Sequence, residues 1–138
     1  MRQAAGSLRI ETKGRGLIEF TREVAAWLAQ EKFQTALLTV YCRHTSASLL
    51  IQENADPDVQ TDLQNYFEEI APESERYIHS AEGPDDMPAH LRATLTQTSL
   101  SIPVTGGRMA LGTWQGIYLF EHRARPHMRE IVLHAIGD

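Results

Sequence analysis

The sequence predicts an α+β fold: a mainly antiparallel two-layer β-sandwich with about three helices. Strand-like runs stand at both ends of the chain, helix-period stripes are confined to the middle, and the turns between the later strands are too short for parallel crossovers. The length, 138 residues with 42% hydrophobic and 22% charged, suits one domain with a core of its own.

Taken in order, Ser7 to Glu11 alternates polar and apolar residues and reads as a first strand, followed by a Gly14-Arg15-Gly16 turn. Thr21 is placed to cap a helix bearing Val24, Trp27 and Leu28 and ending near Lys32. Thr35 to Tyr41 and Ser48 to Gln52 are apolar, β-branched strands joined at the polar corner Arg43-His44-Thr45-Ser46. Asp56-Pro57 starts a second helix whose stripe is Val59, Leu63, Tyr66, Phe67 and Ile70, and Pro72 ends it. Ser74 to Pro88 is a surface loop, and Pro88 opens a third helix with Leu91 and Leu95 inward. Four strands close the chain: Thr98 to Val104, Arg108 to Leu111, Gly116 to Glu121 and Met128 to Ile136. The third of these, from Gly116 to Phe120, is apolar on both faces, as in an inner strand or one covered by a neighbouring subunit.

Thirteen Lys and Arg against eighteen Asp and Glu leave a net charge of -5, the wrong sign for a domain that lives on a phosphate backbone. Nucleic acid is therefore not an expected partner. No apolar run is long enough to span a bilayer, and no apolar stretch follows Met1 to Ser7 as in a secretory leader, so the expected address is the cytoplasm, with no membrane partner. The single Cys42 lies in a strand and reads as a small buried hydrophobe.

Three of the six histidines stand out. His44 sits in the polar corner, and His79 and His90 bracket a loop that also holds Glu82, Asp85 and Asp86. Imidazoles and carboxylates at this density form the mixed N/O set that zinc and related divalent ions accept, and equally an acidic solvated loop with two exposed histidines. His122 ends an apolar strand between Glu121 and Arg123, which alternation puts on the opposite face from it. His127 and His134 are explained by strand periodicity alone. Thr113, Trp114 and Gln115, between Gly112 and Gly116, supply a hydroxyl, a ring and an amide, suited to a heteroaromatic ligand or to a capped turn with Trp114 in the core. Glu53 is either a surface residue or a carboxylate aimed at the pocket of His44. Thr45, Ser46 and Ser48 show no nucleophile elbow, which argues against a serine hydrolase.

The strings His44-Thr45-Ser46-Ala47-Ser48-Leu49, Gln52 to Pro57, Tyr77-Ile78-His79, Glu82 to His90, Leu111 to Ile117 and Glu121-His122-Arg123 resemble the YjbQ family over most of the chain. The resemblance implies a β-rich α+β homotrimer with sites near subunit contacts. It also implies a secondary thiamine-phosphate synthase activity, joining a pyrimidine pyrophosphate to a thiazole phosphate with release of pyrophosphate. That chemistry needs positive charge on the leaving group and contacts to two rings. The expected catalytic residues are then His44, Glu53, Glu121, His122 and Arg123, and the expected substrate contacts Arg43, Ser46, Thr113, Trp114 and Gln115. A divalent ion, zinc or magnesium, is expected on His44, His79, Asp86 and His90, and the expected ligand is a small phosphorylated metabolite. A metal-dependent hydrolase of another substrate and a non-catalytic trimeric binder of a metal or metabolite are the alternatives.

Overall fold

The structure is a computed structural model and describes residues 1–138. The elements run β1 (Arg2–Glu11), β2 (Gly16–Glu19), α1 (Thr21–Glu31), β3 (Thr35–Cys42), β4 (Ala47–Glu53), α2 (Pro57–Ile70), α3 (Asp86–Leu95), β5 (Ser99–Thr105), β6 (Arg108–Met109), β7 (Gln115–Glu121) and β8 (Met128–Gly137). This is the expected α+β class, with three helices and only antiparallel pairings. The strands form a five-stranded sheet, β1-β8-β3-β5-β6, and a three-stranded sheet, β2-β7-β4. No helix is long and apolar enough to cross a membrane.

One face of each sheet meets the other in a common core. Leu38, Val40, Ile102, Leu133 and Ala135 come from the larger sheet, Leu49, Ile117 and Leu119 from the smaller, and Val24 and Leu28 from α1. Each of these larger side chains contributes about 1.5–3 kcal/mol by leaving water. Trp27 of α1 lies so close under β1 that a Cβ at Gly6 would overlap its indole nitrogen, which is why that strand carries a glycine there.

A third layer departs from the two-layer expectation. α2 and α3 cover the back of the small sheet, where Phe67 packs edge-on against Phe120 at 5.3 Å between ring centres. β7 is thus apolar on both faces because it is the central strand of its sheet with α2 behind it. No neighbouring subunit is needed to explain it.

Several local expectations are corrected. The turn at Gly14 to Gly16 leads directly into β2, a four-residue strand too short to show a period. Thr21 does not cap α1: its hydroxyl accepts the Ile117 amide at 2.9 Å and donates to Glu19 at 2.8 Å, tying the helix to β7. α2 is capped as expected, with the Asp56 side chain accepting from Asp58 N at 2.9 Å and Pro57 in the first turn. Its inward stripe is Val59, Leu63 and Phe67, while Tyr66 and Ile70 are exposed. α3 starts at Asp86, two residues before Pro88, whose missing N–H is harmless in a first turn. Its buried side carries Asp86, Ala89 and Arg92, and Leu95 faces solvent. β3 and β4 do not pair with each other: at the corner Arg43 to Ser46 the chain passes from the large sheet to the small one.

Candidate functional site

The end of β7 and the start of α3 meet where that corner crosses between sheets. Glu121 is fully buried, and its carboxylate accepts from Thr12 Oγ1 at 2.6 Å, Arg129 Nε at 2.8 Å and the backbone amides of His122 and Arg123 at 3.0 and 3.2 Å. Burial alone would raise its carboxyl, but the bonds from Arg129 and Thr12 outweigh it and hold the group below the usual range. Glu121, expected to be catalytic, is therefore saturated inside the fold. Ser46 is engaged in the same way, its hydroxyl accepting from Arg129 Nη2 at 3.0 Å.

Arg123 turns the other way and fixes the loop ahead of α3. It donates from Nε to Asp85 at 3.0 Å, from Nη1 to Asp86 Oδ1 at 2.8 Å and from Nη2 to the Glu82 carbonyl at 3.0 Å. The Asp85 bond is the main reason its guanidinium is held still more basic than usual. With its fork filled by three protein oxygens, Arg123 positions Asp86 rather than gripping a phosphate.

Asp86 is 1% exposed, and its second oxygen faces two imidazoles: His79 Nε2 at 2.7 Å and His90 Nε2 at 3.1 Å. These three ligand atoms lie within 4.8 Å of one another. On the far side of its ring, His90 Nδ1 donates to the Thr45 carbonyl at 3.1 Å. A carbonyl only accepts, so the His90 proton in the neutral ring is on Nδ1 and its Nε2 lone pair points at a carboxylate oxygen. Two acceptors face each other there, which is stable only with a cation between them or a second proton on the ring. Metal-bound histidines are oriented in this way, through the other ring nitrogen on a backbone carbonyl.

His44 is not among the gathered ligands. Its Nε2 accepts the Glu130 amide at 2.8 Å, so that lone pair is already occupied. Burial, then the charge of Arg129, pushes the His44 imidazole below its ordinary pKa. His44 and His90 instead share a cleft of 580 Å3 with Tyr41, Arg43, Thr45 and Thr94. Arg43, in this cleft, is paired with Glu130 at 2.8 Å and stays largely exposed.

The family model described as UPF0047 protein YjbQ-like matches residues 6–138. This chain belongs to the YjbQ-like UPF0047 family. It is 53% identical to the UPF0047 protein sll1880 of Synechocystis sp., covering 99% of this chain and 94% of that protein. It is 40% identical to the UPF0047 protein YjbQ of Escherichia coli O157:H7, covering 96% of each. Among solved structures, APE1520 of Aeropyrum pernix K1 superposes with a TM-score of 0.89 at 30% identity, over 98% of this chain and 99% of that one.

The remaining residues of the YjbQ-like motifs fall elsewhere. Glu53 is at the opposite end of β4 from the corner, about 20 Å away at strand rise. Its carboxylate accepts the Asp56 amide at 3.3 Å, which is a helix-start role. Thr113, Trp114 and Gln115 lie beside it, since Glu53 pairs with Gln115 and Asn54 N donates to Trp114 O at 3.0 Å. Trp114 is 61% exposed, so it does not fill the core, and Gln115 Oε1 is occupied by the Gly112 amide at 2.8 Å. Within one chain, these three cannot touch a ligand held by Asp86. His122 is 1% exposed and shares a 2.8 Å hydrogen bond with Ser48, beyond the reach of any ligand in the cleft.

Sequence reading missed Arg129, Thr12 and the Thr45 carbonyl. Arg129 was the findable one: it stands at a core-facing position of β8, where its neighbours in alternation are Ile131, Leu133 and Ala135. A charge in an apolar register marks a buried partner.

Proposed function

We propose that this chain is a divalent-metal-dependent enzyme acting on a small phosphorylated substrate, with the ion held by His79, Asp86 and His90. The observation that carries this reading is the bonding of His90, whose Nδ1 is anchored to the Thr45 carbonyl while its Nε2 faces Asp86 at 3.1 Å. Tetrahedral zinc ligands lie about 3.3 Å apart. The Asp86 oxygen is 2.7 Å from His79 and 3.1 Å from His90, so these two separations would open by about 0.6 and 0.2 Å to admit an ion. Two imidazoles and one carboxylate suit zinc better than magnesium and leave a position for water or a substrate oxygen. A bound ion there would supply charge to a phosphate leaving group.

The resemblance to the YjbQ family makes coupling of a pyrimidine-methyl pyrophosphate to a thiazole phosphate the first reaction to assay, in a homotrimer. Metal-dependent hydrolysis is the second reading, favoured by the engagement of Arg123 with Asp85, Asp86 and Glu82, which leaves the ion as the main charge on a phosphate.

The test is metal content and turnover of the purified protein with zinc, magnesium or chelator. We expect stoichiometric metal, its loss in His79→Ala and His90→Ala, and thiamine phosphate formed only by the loaded protein. Full metal occupancy in both variants overturns the site. Metal-dependent phosphate release from a phosphoester panel, without ring coupling, selects the hydrolase.

A further inference from the structure

The cleft beside the metal-ligand group is bounded by His44, and the bonding of that ring assigns it a role apart from metal. Its Nε2 is 2.8 Å from the Glu130 backbone nitrogen. An amide N–H can only donate, so Nε2 accepts and the ring proton is on Nδ1. Nδ1 has no hydrogen-bond partner in the protein, and it is not one of the two buried atoms left without one, Arg92 Nε and His122 Nδ1. The ring lines the 580 Å3 cleft together with Arg43, Thr45, Thr94 and His90. Thr94 already donates to the His90 carbonyl at 2.8 Å and Arg43 is held by Glu130, which leaves the His44 Nδ1–H as the fixed donor of the cleft.

We propose that His44 binds a phosphate-class oxyanion of the substrate through Nδ1–H, as a neutral donor of fixed tautomer and not as a metal ligand. The inference deepens the proposed function and rests on it for the nature of the ligand. A donor held in place before the ligand arrives loses little entropy on binding and can favour charge that builds on the oxygen during reaction. Protonating the ring would break the Glu130 bond, so the imidazole stays a donor rather than becoming a cation. The anchoring has a further effect on the neighbouring site: Thr45, next in the chain, holds His90 by its carbonyl, so the oxyanion donor and the ligand group are carried by one short corner.

Two substitutions separate the two ring nitrogens. In His44→Asn the amide nitrogen replaces Nδ1–H and the Nε2 acceptor is lost. In His44→Gln an acceptor remains for Glu130 and the Nδ1 donor is lost. Inorganic phosphate is titrated into the full chain, metal-free and zinc-loaded, with metal content measured in parallel. We expect His44→Gln to weaken phosphate binding by about tenfold or more, the loss of one bond to a charged acceptor, and His44→Asn to retain most of it. Metal content should be unchanged in both. The reverse order, with His44→Asn the weaker binder, makes His44 only an anchor for Glu130, and loss of metal in either variant makes it a ligand. Each result overturns the proposal, as does wild-type protein that takes up no phosphate. If wild type holds no zinc, the metal reading fails, while the metal-free titrations still read His44 alone. Should a variant not fold, the 15N spectrum of wild-type His44 decides: a proton on Nδ1 supports the proposal and one on Nε2 overturns it.

Discussion

His122 shows how far a single buried side chain can couple this fold to pH. Its ring lies 4.4 Å from that of Phe120, it bonds Ser48, and burial followed by the charge of Arg92 pushes its pKa down to about 3. In the unfolded chain the group titrates near 6.5, so between those values the unfolded state binds the extra proton. His122 therefore contributes its full stability above about pH 6.5 and loses it as pH falls toward 3, at about 1.4 kcal/mol per unit. Urea unfolding at pH 7 and pH 5 should show a loss of about 2 kcal/mol that His122→Gln removes. An unchanged difference in that variant would assign the pH dependence elsewhere. Asp85, Asp86 and Glu121, whose burial is outweighed respectively by bonds from the Ala124 amide and Arg123, from His79, and from Arg129, act in the same direction but only below about pH 4. The residue scale is also where the sequence was least legible. Asp85 and Arg123 are 38 positions apart and Thr12 and Glu121 are 109, and nothing local announces such pairs. His79, Asp86 and His90 were readable because they share one short loop and one helix turn.

At the scale of elements, strands were read more faithfully than helix faces. Alternation in β5 and β8 and the Asp56-Pro57 start of α2 survive in the structure, because each is a local pattern with a local cause. α3 inverted the expectation, since its apolar pair Leu91 and Leu95 is not its buried face. That face is set by what the site and α2 require. Arg92 is 2% exposed, and its Nη2 donates to the carbonyl of Ala71, the C-cap of α2, at 3.2 Å. α2 has no basic residue in its last turn, so this guanidinium supplies the positive charge that a helix C-terminus favours. Burial lowers the pKa of Arg92, consistent with a cation that lacks a carboxylate partner. Arg92→Ala removes the buried stem, leaves a cavity and frees the Ala71 carbonyl, for a cost of about 3 kcal/mol. Leu95→Ser should cost less than about 0.5 kcal/mol, as an exposed position does. Denaturant midpoints of the two variants test this order, and a larger loss for Leu95→Ser would show that the apolar pair faces a core after all.

For the whole molecule, the surface that bears on assembly is the outer face of the five-stranded sheet. No helix or second sheet covers it, and no residue on it is buried. Leu37 and Ile136 are register neighbours on β3 and β8, as are Tyr41 and Val132, and the pair Thr39 and His134 stands between them. Leu37, Tyr41 and Ile136 are 46%, 46% and 41% exposed. Isolated exposed leucines need no explanation, but two cross-strand apolar pairs on an uncovered sheet face are the kind of surface a second copy covers. The face also runs into the functional cleft, because Tyr41 and Arg43 line that cleft from the end of β3. A subunit seated on the face would wall the cleft, which a single chain leaves open. The homotrimer proposed above then predicts two linked outcomes. Sedimentation should give a trimer for wild type and a folded monomer for Leu37→Glu, since the substituted position is solvated in one chain. The monomer should also bind inorganic phosphate less tightly, with His44, Arg43 and the metal ligands all intact. A wild-type monomer at micromolar concentration overturns the assembly, and a Leu37→Glu monomer with undiminished phosphate binding shows that the cleft is complete within one chain.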